Sequence, residues 1–148
     1  MSFAISCTDD LITKLSGIEL LDKKTLTVYS MEDLLETLAN VRKPAVGVLY
    51  EGARKVGGAG AGQIGVSGEA VFSLLMVYET SVMSKRVDAK SPAHDLLDQM
   101  RAEIHGSRSP TGHFWSWVLE APASQKANVT VWLQRWSTPV QLSPSKRQ

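Results

Sequence analysis

One cysteine, Cys7, is present in 148 residues. That excludes an internal disulfide and any multi-cysteine metal centre within one chain, and it fits a reducing compartment. An excess of charge of one sign is missing as well. The formal net charge is +1, so nothing draws the chain as a whole to nucleic acid, membrane or an acidic substrate. An electrostatic partner would have to be met by a local patch. No window approaches the ~18 consecutive apolar residues that a bilayer crossing needs. The opening MSFAISCTDD lacks a basic segment followed by a long apolar one, so no signal peptide is expected and the cytoplasm is the expected place of synthesis.

What remains is an ordinary soluble composition, 43% hydrophobic and 21% charged, long enough for one domain over residues 1–148 with a real core. The stretch with most structural content is Ala70 to Val82, AVFSLLMVYETSV. Ala70, Phe72, Leu74, Met76 and Tyr78 alternate with Val71, Leu75 and Val77. A strand apolar on both faces belongs in the middle of a sheet covered on both sides.

Around it the pattern reads α-β-α-β-β-α-β-β. Thr8 as N-cap, with Asp9 and Asp10 at the positive helix end, predicts a short helix over 9–16 stopped by a left-handed Gly17. Thr25 to Tyr29 follows as a strand. Ser30 and Asp33 form a variant capping box, and Met31, Leu34, Leu35 and Leu38 give an amphipathic helix over 31–39. Ala45 to Tyr50 is a second apolar strand. Six of the eleven glycines then fall between Gly57 and Gly68, so Glu51 to Gly68 reads as a long loop joining two central strands of a hairpin. After the Ala70 strand, Ser91 and Pro92 open a helix whose face is Ala93, Leu96, Leu97, Met100 and Ile104, ended by Gly106. Phe114 to Leu119 and Val129 to Thr138 make an antiparallel pair joined by a turn over 121–128. Residues 139–148, ending LSPSKRQ, are expected to fray. The fold class is α+β: a single mixed, mostly antiparallel sheet with three helices largely on one face.

Catalytic signatures are absent from this pattern. Gly60-Ala-Gly62-Gln-Ile-Gly65 spells G-x-G-x-x-G, but it trails its strand by about ten residues and leads into another strand, not into a helix that could hold a pyrophosphate. No Gly-Lys-Ser/Thr follows. Ser67 sits in Gly-Val-Ser-Gly-Glu, which lacks the second glycine of a nucleophile elbow. His94 and Asp98 share a helix face, yet a third metal ligand would have to come from His105 or His113 at no diagnostic spacing. Cys7 has no local positive group to lower its pKa. An enzyme is not expected, and no cofactor or metal is implied.

Two features suggest contacts. Trp115, Trp117, Trp132 and Trp136 lie within 22 residues, at even spacing in each strand, either as core packing or as a subunit interface where Trp is enriched. Antiparallel pairing of 45–50 with 70–82 would also place Arg42 and Lys43 at the same sheet end as Lys85 and Arg86. Arg54 and Lys55 would stand at the opposite end, at the root of the glycine loop. Such clusters face phosphates or an acidic surface, or are simply solvated.

The order of elements, with a long loop between middle strands and the closing segments HFWSWVLEAP and NVTVWLQRWST, resembles the tail terminator (tail completion) proteins of long-tailed phages. The likeness is to the minor tail proteins of lambda-like and Mu-like tails. It spans nearly the whole chain and rests on architecture, with no short signature to carry a functional residue across. The resemblance implies a ring subunit, typically hexameric, that caps the tail tube, stops its polymerisation and presents the head-joining surface. Its implied partners are copies of itself, the tail tube protein, a head-completion protein and DNA in the channel, with a final place in the virion tail and none in a membrane. The alternative from a different class is a small nucleic-acid-binding α+β module, which would need aromatic rings beside basic residues on an open sheet face, as Arg135 beside Trp136 hints.

Overall fold

A computed structural model of the chain describes residues 2–56, 66–79, 91–126 and 129–142. Helix α1 (Phe3–Leu15) starts earlier than the local capping pattern predicts. Ser2 is the N-cap, its Oγ accepting from Ile5 N at 3.2 Å, while Thr8 lies inside the helix and donates to Ala4 O at 2.8 Å. The reason is the apolar face. Cys7, Leu11 and Leu15 repeat every fourth residue and Phe3 extends the row upstream, so core packing recruits an extra turn. Gly17 is not left-handed either: the helix ends at Ser16 in right-handed geometry. A one-turn 3-10 helix, Glu19–Leu21, follows and inserts Leu21 into the core.

Strand β1 (Thr25–Val28) leads into helix α2 (Met31–Thr37), whose N-cap is Ser30, bonded to Asp33 N at 3.1 Å. Then come β2 (Ala45–Lys55), β3 (Val66–Glu79), helix α3 (Ser91–Ile104), β4 (Ser116–Lys126) and β5 (Val129–Leu142). Two strands outrun their expected limits. β2 continues past Tyr50 through a bulge at Gly52, where φ is 106° and glycine is the natural occupant. β3 starts four residues before Ala70, so Lys55 pairs with Gly68 and the ordered hairpin consumes both ends of the expected loop. The rest of that loop, 57–65, lies outside the described residues, as do 80–82 of the central stretch. β4 runs through most of the expected turn, and β5 takes in residues 139–142 of the expected tail.

The sheet has five strands in the order β1-β2-β3-β5-β4; β1 and β2 are parallel and all other neighbours antiparallel. β3 is central, and both of its faces are covered. On one face Ala70, Phe72, Leu74 and Met76 pack with Cys7, Leu11 and Leu15 of α1 and Leu96, Met100 and Ile104 of α3. On the other, Leu75 and Val77 meet Leu34 and Leu38 of α2 with Val28, Leu49 and Val131. Each of these buried aliphatic side chains contributes about 1.5–3 kcal/mol through removal from water. α2 is short and covers only one half of its face, so the helices do sit largely on one side.

α2 approaches the sheet over Gly47. A Cβ there would lie 2.6 Å from Leu34 Cδ1 and 3.0 Å from Val28 Cγ1. Val28 is stiff at χ1 and cannot step aside easily. Gly47→Ala is therefore expected to cost about 1–3 kcal/mol by overpacking, more than the gain from a less flexible unfolded chain. Urea unfolding should show a lower midpoint at unchanged slope; a midpoint equal to that of the parent protein would contradict the close approach.

Candidate functional site

Of the predicted basic clusters the structure describes Arg42, Lys43, Arg54 and Lys55. Arg42 and Lys43 do stand at the β2 start, opposite the β3 end, since Ala45 pairs with Val77. Lys43, however, turns its Nζ back to Leu38 O at 2.5 Å and Val41 O at 2.9 Å, satisfying carbonyls at and beyond the α2 C-terminus. Lys85 and Arg86 lie outside the described residues. At the other sheet end Arg54 and Lys55 are exposed at the root of the glycine segment, and Arg54 Nη2 pairs with Glu69 Oε2 at 3.3 Å. A pair so exposed is worth about 0–1 kcal/mol and leaves Arg54 free to exchange partners.

The tryptophans occupy three different environments. Trp115 and Trp136 belong to the core: Trp136 is 0% exposed, and Trp115 meets Phe72 edge-on with centroids 5.4 Å apart. For these two, burial within the single chain corresponds to the core-packing alternative. Each indole N–H needs a partner in the interior and has one. Trp115 Nε1 donates to Asp10 Oδ2 at 2.9 Å, and Trp136 Nε1 donates to Gln134 Oε1 at 3.2 Å. Gln134 Nε2 in turn reaches Leu97 O at 2.9 Å and Glu120 Oε1 at 2.8 Å, which ties α3 to β4 and β5. Trp132 is half-buried, with His94 set against it edge-on at 5.8 Å. Trp117 is the exception at 48% exposed, although it is the register partner of Trp136.

The candidate metal pair is otherwise engaged. His94 sits edge-on to Trp132, Asp98 pairs with Arg101, and Arg101 also reaches Glu120. Among the described residues no three His, Cys, Asp or Glu side chains gather to hold a metal. Cys7 is fully buried, and burial, reinforced by nearby Asp10, pushes its thiol up to about 11 despite Lys14. Such a thiol is neutral at physiological pH and a poor nucleophile. Among the described residues no helix is long and apolar enough to cross a membrane.

The uncovered half of the α2 face carries two ion pairs, Glu51–Arg135 and Arg54–Glu69, around a concavity of about 340 Å³. Arg135 Nε lies 2.9 Å from Glu51 Oε2 but is not aligned on it; the directed bond is from Nη2 to Oε1 at 3.3 Å. Arg135 and Trp136 point to opposite faces, and the residues lining this concavity include no aromatic ring. A base-stacking platform is thus not assembled there.

Large apolar side chains instead stand in solvent at the two ends of the strand order. At the β1 end are Ile5, Tyr29, Met31 and Leu35. The α2 stripe splits: Leu34 and Leu38 enter the core while Met31 and Leu35 do not. Tyr29 immediately precedes the N-cap, where an apolar side chain often staples onto the fourth helical residue, here Leu34. Tyr29 is 84% exposed, so that staple is not made. At the β4 end, Phe114, Trp117 and Val118 are exposed. Here α3 and β4 frame a cleft of about 610 Å³ lined by Arg101, Ala102, His105, Trp117, Glu120 and Trp136. Reading the sequence picked out Trp117 but missed Tyr29, Met31, Leu35 and Phe114. The one available signal was a four-residue apolar stripe on a helix too short to bury it all.

No protein-family model matches the chain, and no curated protein matches it.

Burial separates the tryptophans by experiment. Trp115→Ala and Trp136→Ala should each lose about 3–5 kcal/mol of stability, whereas Trp117→Ala should lose well under half of that. Comparable losses at all three sites in chemical denaturation would refute this division. Cys7 sets a pH effect whose sign follows from linkage. The folded state holds the thiol proton more tightly than the unfolded chain, so stability falls as pH rises from about 9 toward 11. Cys7→Ala should flatten that component of the profile, and an identical pH slope in both proteins would count against the buried thiol as its source.

Proposed function

We propose that this protein is a structural subunit of a ring that caps a phage-type tail tube, a tail terminator, and not a catalyst. One observation carries the reading. The single sheet ends in two unlike edges, each with large apolar side chains in solvent beside a strand that, among the described residues, pairs on one side only. Exposed apolar patches beside polar surroundings are the usual mark of protein contact. Two different patches at opposite edges suit a heterologous, head-to-tail contact, and such contacts generate rings when the rotation closes. The likeness in element order to tail terminators points to the same assembly.

In this reading the edges serve neighbouring copies and the ends of the strands face along the ring axis. Arg54 and Lys55, beside the glycine segment, meet the tube or the DNA-bearing channel. Arg42 stands at the opposite end, toward the head-completion partner. Lys43 is withdrawn from that role by its helix-capping bonds.

Tubes polymerised from the cognate tail tube protein provide the test. Added protein should halt elongation and leave a ring of density at one tube end in negative-stain micrographs. A tube length distribution unchanged at saturating protein would overturn the reading.

A further inference from the structure

The β1 edge is open to a further strand in a way that the β4 edge is not. Among the described residues β1 pairs with β2 alone, in parallel, and Val46 N donates to Lys24 O at 2.9 Å. In a parallel ladder alternate residues do the bonding, each turning its N–H and C=O to the same side. Lys24, Leu26 and Val28 therefore face β2. The N–H and C=O of Thr27 point out of the sheet, where no described group bonds to them. Thr25, whose backbone also faces outward, keeps a buried Oγ1 without a hydrogen-bond partner among the described residues. β4, by contrast, is interrupted by register shifts at Trp117/Leu119 and Pro122/Ser124 and carries Pro122. Bulges and proline keep edge strands from pairing.

Beside that edge lies a concavity of about 400 Å³ between β1 and α1. Ile5, Thr8 and Asp9 line it from the helix, Thr27 from the edge strand, Tyr29 from just past its end and Tyr50 from β2. Ile5 and the two tyrosine rings give it apolar surface. Asp9 is the one charged side chain in its lining, and it forms no salt bridge with another described residue. α2, which begins two residues after Tyr29, adds Glu32, Asp33 and Glu36 and no basic residue. A basic group is thus the charge that this end of the molecule favours.

A groove between a helix and an open edge strand is where an extended peptide adds to a sheet. Main-chain bonds to the edge hold it, and pockets read its alternate side chains. A passing strand satisfies both backbone groups of Thr27 at once, whereas an apolar surface satisfies neither. β1 has four residues, so these bonds are few and the concavity must supply the remaining contact. A second copy is a poor donor: its described strands already lie in a sheet, and its other edge is the interrupted β4. We propose that the β1 edge and α1 bind an extended segment of a different protein, paired to Thr27, with an apolar side chain in the concavity and a lysine or arginine against Asp9. Met31 and Leu35 lie outside the lining and remain for a neighbouring copy, so the site goes beyond the ring reading and does not depend on it.

Random heptapeptides displayed on a carrier protein and panned against the full chain provide the test. An enriched family should emerge that has apolar residues at alternate positions and carries a basic one. For a synthetic member, N-methylation of every second backbone nitrogen should abolish binding in one register and spare it in the other, because an added strand turns only alternate N–H groups toward the edge. Thr27→Pro removes an N–H that the sheet does not use and should weaken binding about tenfold. Asp9→Asn, at an exposed position, should weaken it about two- to fivefold. The N-methylated pair is read on the parent protein, so it decides the matter even if Thr27→Pro fails to fold. No enriched family, equal effects of the two N-methylation registers, or undiminished binding to folded Thr27→Pro would overturn the site. Undiminished binding to Asp9→Asn would overturn its basic preference. None of these results bears on whether copies close a ring.

Discussion

β3 must be covered twice, and most of the architecture answers that requirement. Its alternating faces are both apolar, so a layer is needed on each side of the sheet. α1 and α3 supply one, burying the Phe72 row. α2 supplies the other over Leu75 and Val77, and it can sit close enough only because Gly47 lacks a side chain. The antiparallel neighbour β5 pairs with the strand along its whole length, from Val66 with Leu142 to Glu79 with Val129, and β2 pairs with it from Gly68 to Val77. Any change that exposes one side of β3 removes a layer, not a contact.

Polar groups inside this frame are few and placed where elements distant in sequence must meet. Asp10 on α1 holds Lys14 at 2.5 Å and Trp115 at 2.9 Å, and Lys14 also reaches Arg108 O at 2.7 Å. These bonds pin the segment before β4 against the first helix. Gln134 does the same between α3, β4 and β5. Ser109, Thr111 and Thr138 form a hydroxyl cluster that docks the connecting loop on β5, with Ser109 Oγ 2.7 Å from Thr138 Oγ1. Buried amide and indole groups left without such partners would each cost about 1–3 kcal/mol, which makes these bonds a constraint on arrangement more than a source of stability.

The uneven cover has a consequence at the margins. A seven-residue α2 cannot bury its whole stripe, and α3 stops short of closing over β4. Most of the large apolar side chains left outside lie toward the two ends of the strand order, with Leu20 and Val56 apart from them. Coverage of the core and exposure of these side chains are in this sense the same geometric fact, viewed from inside and outside.

Periodicity in the chain determined a good deal: the α+β class, the central place of the Ala70 stretch, the Ser30 cap, the α3 face and the antiparallel hairpin on either side of the glycines. These follow from near-neighbour rules, in which a side chain's direction is set by backbone period alone. Element ends did not follow, because packing recruited residues that local signals had assigned elsewhere. α1 gained a turn before Thr8, β2 and β3 zipped into the glycine segment, and β5 absorbed Pro139 and Val140. Nor could spacing distinguish Trp117 from Trp136, or Leu35 from Leu34. Each member of those pairs has the same local character, and only the reach of a helix packed from far along the chain decides which is covered and which remains in water.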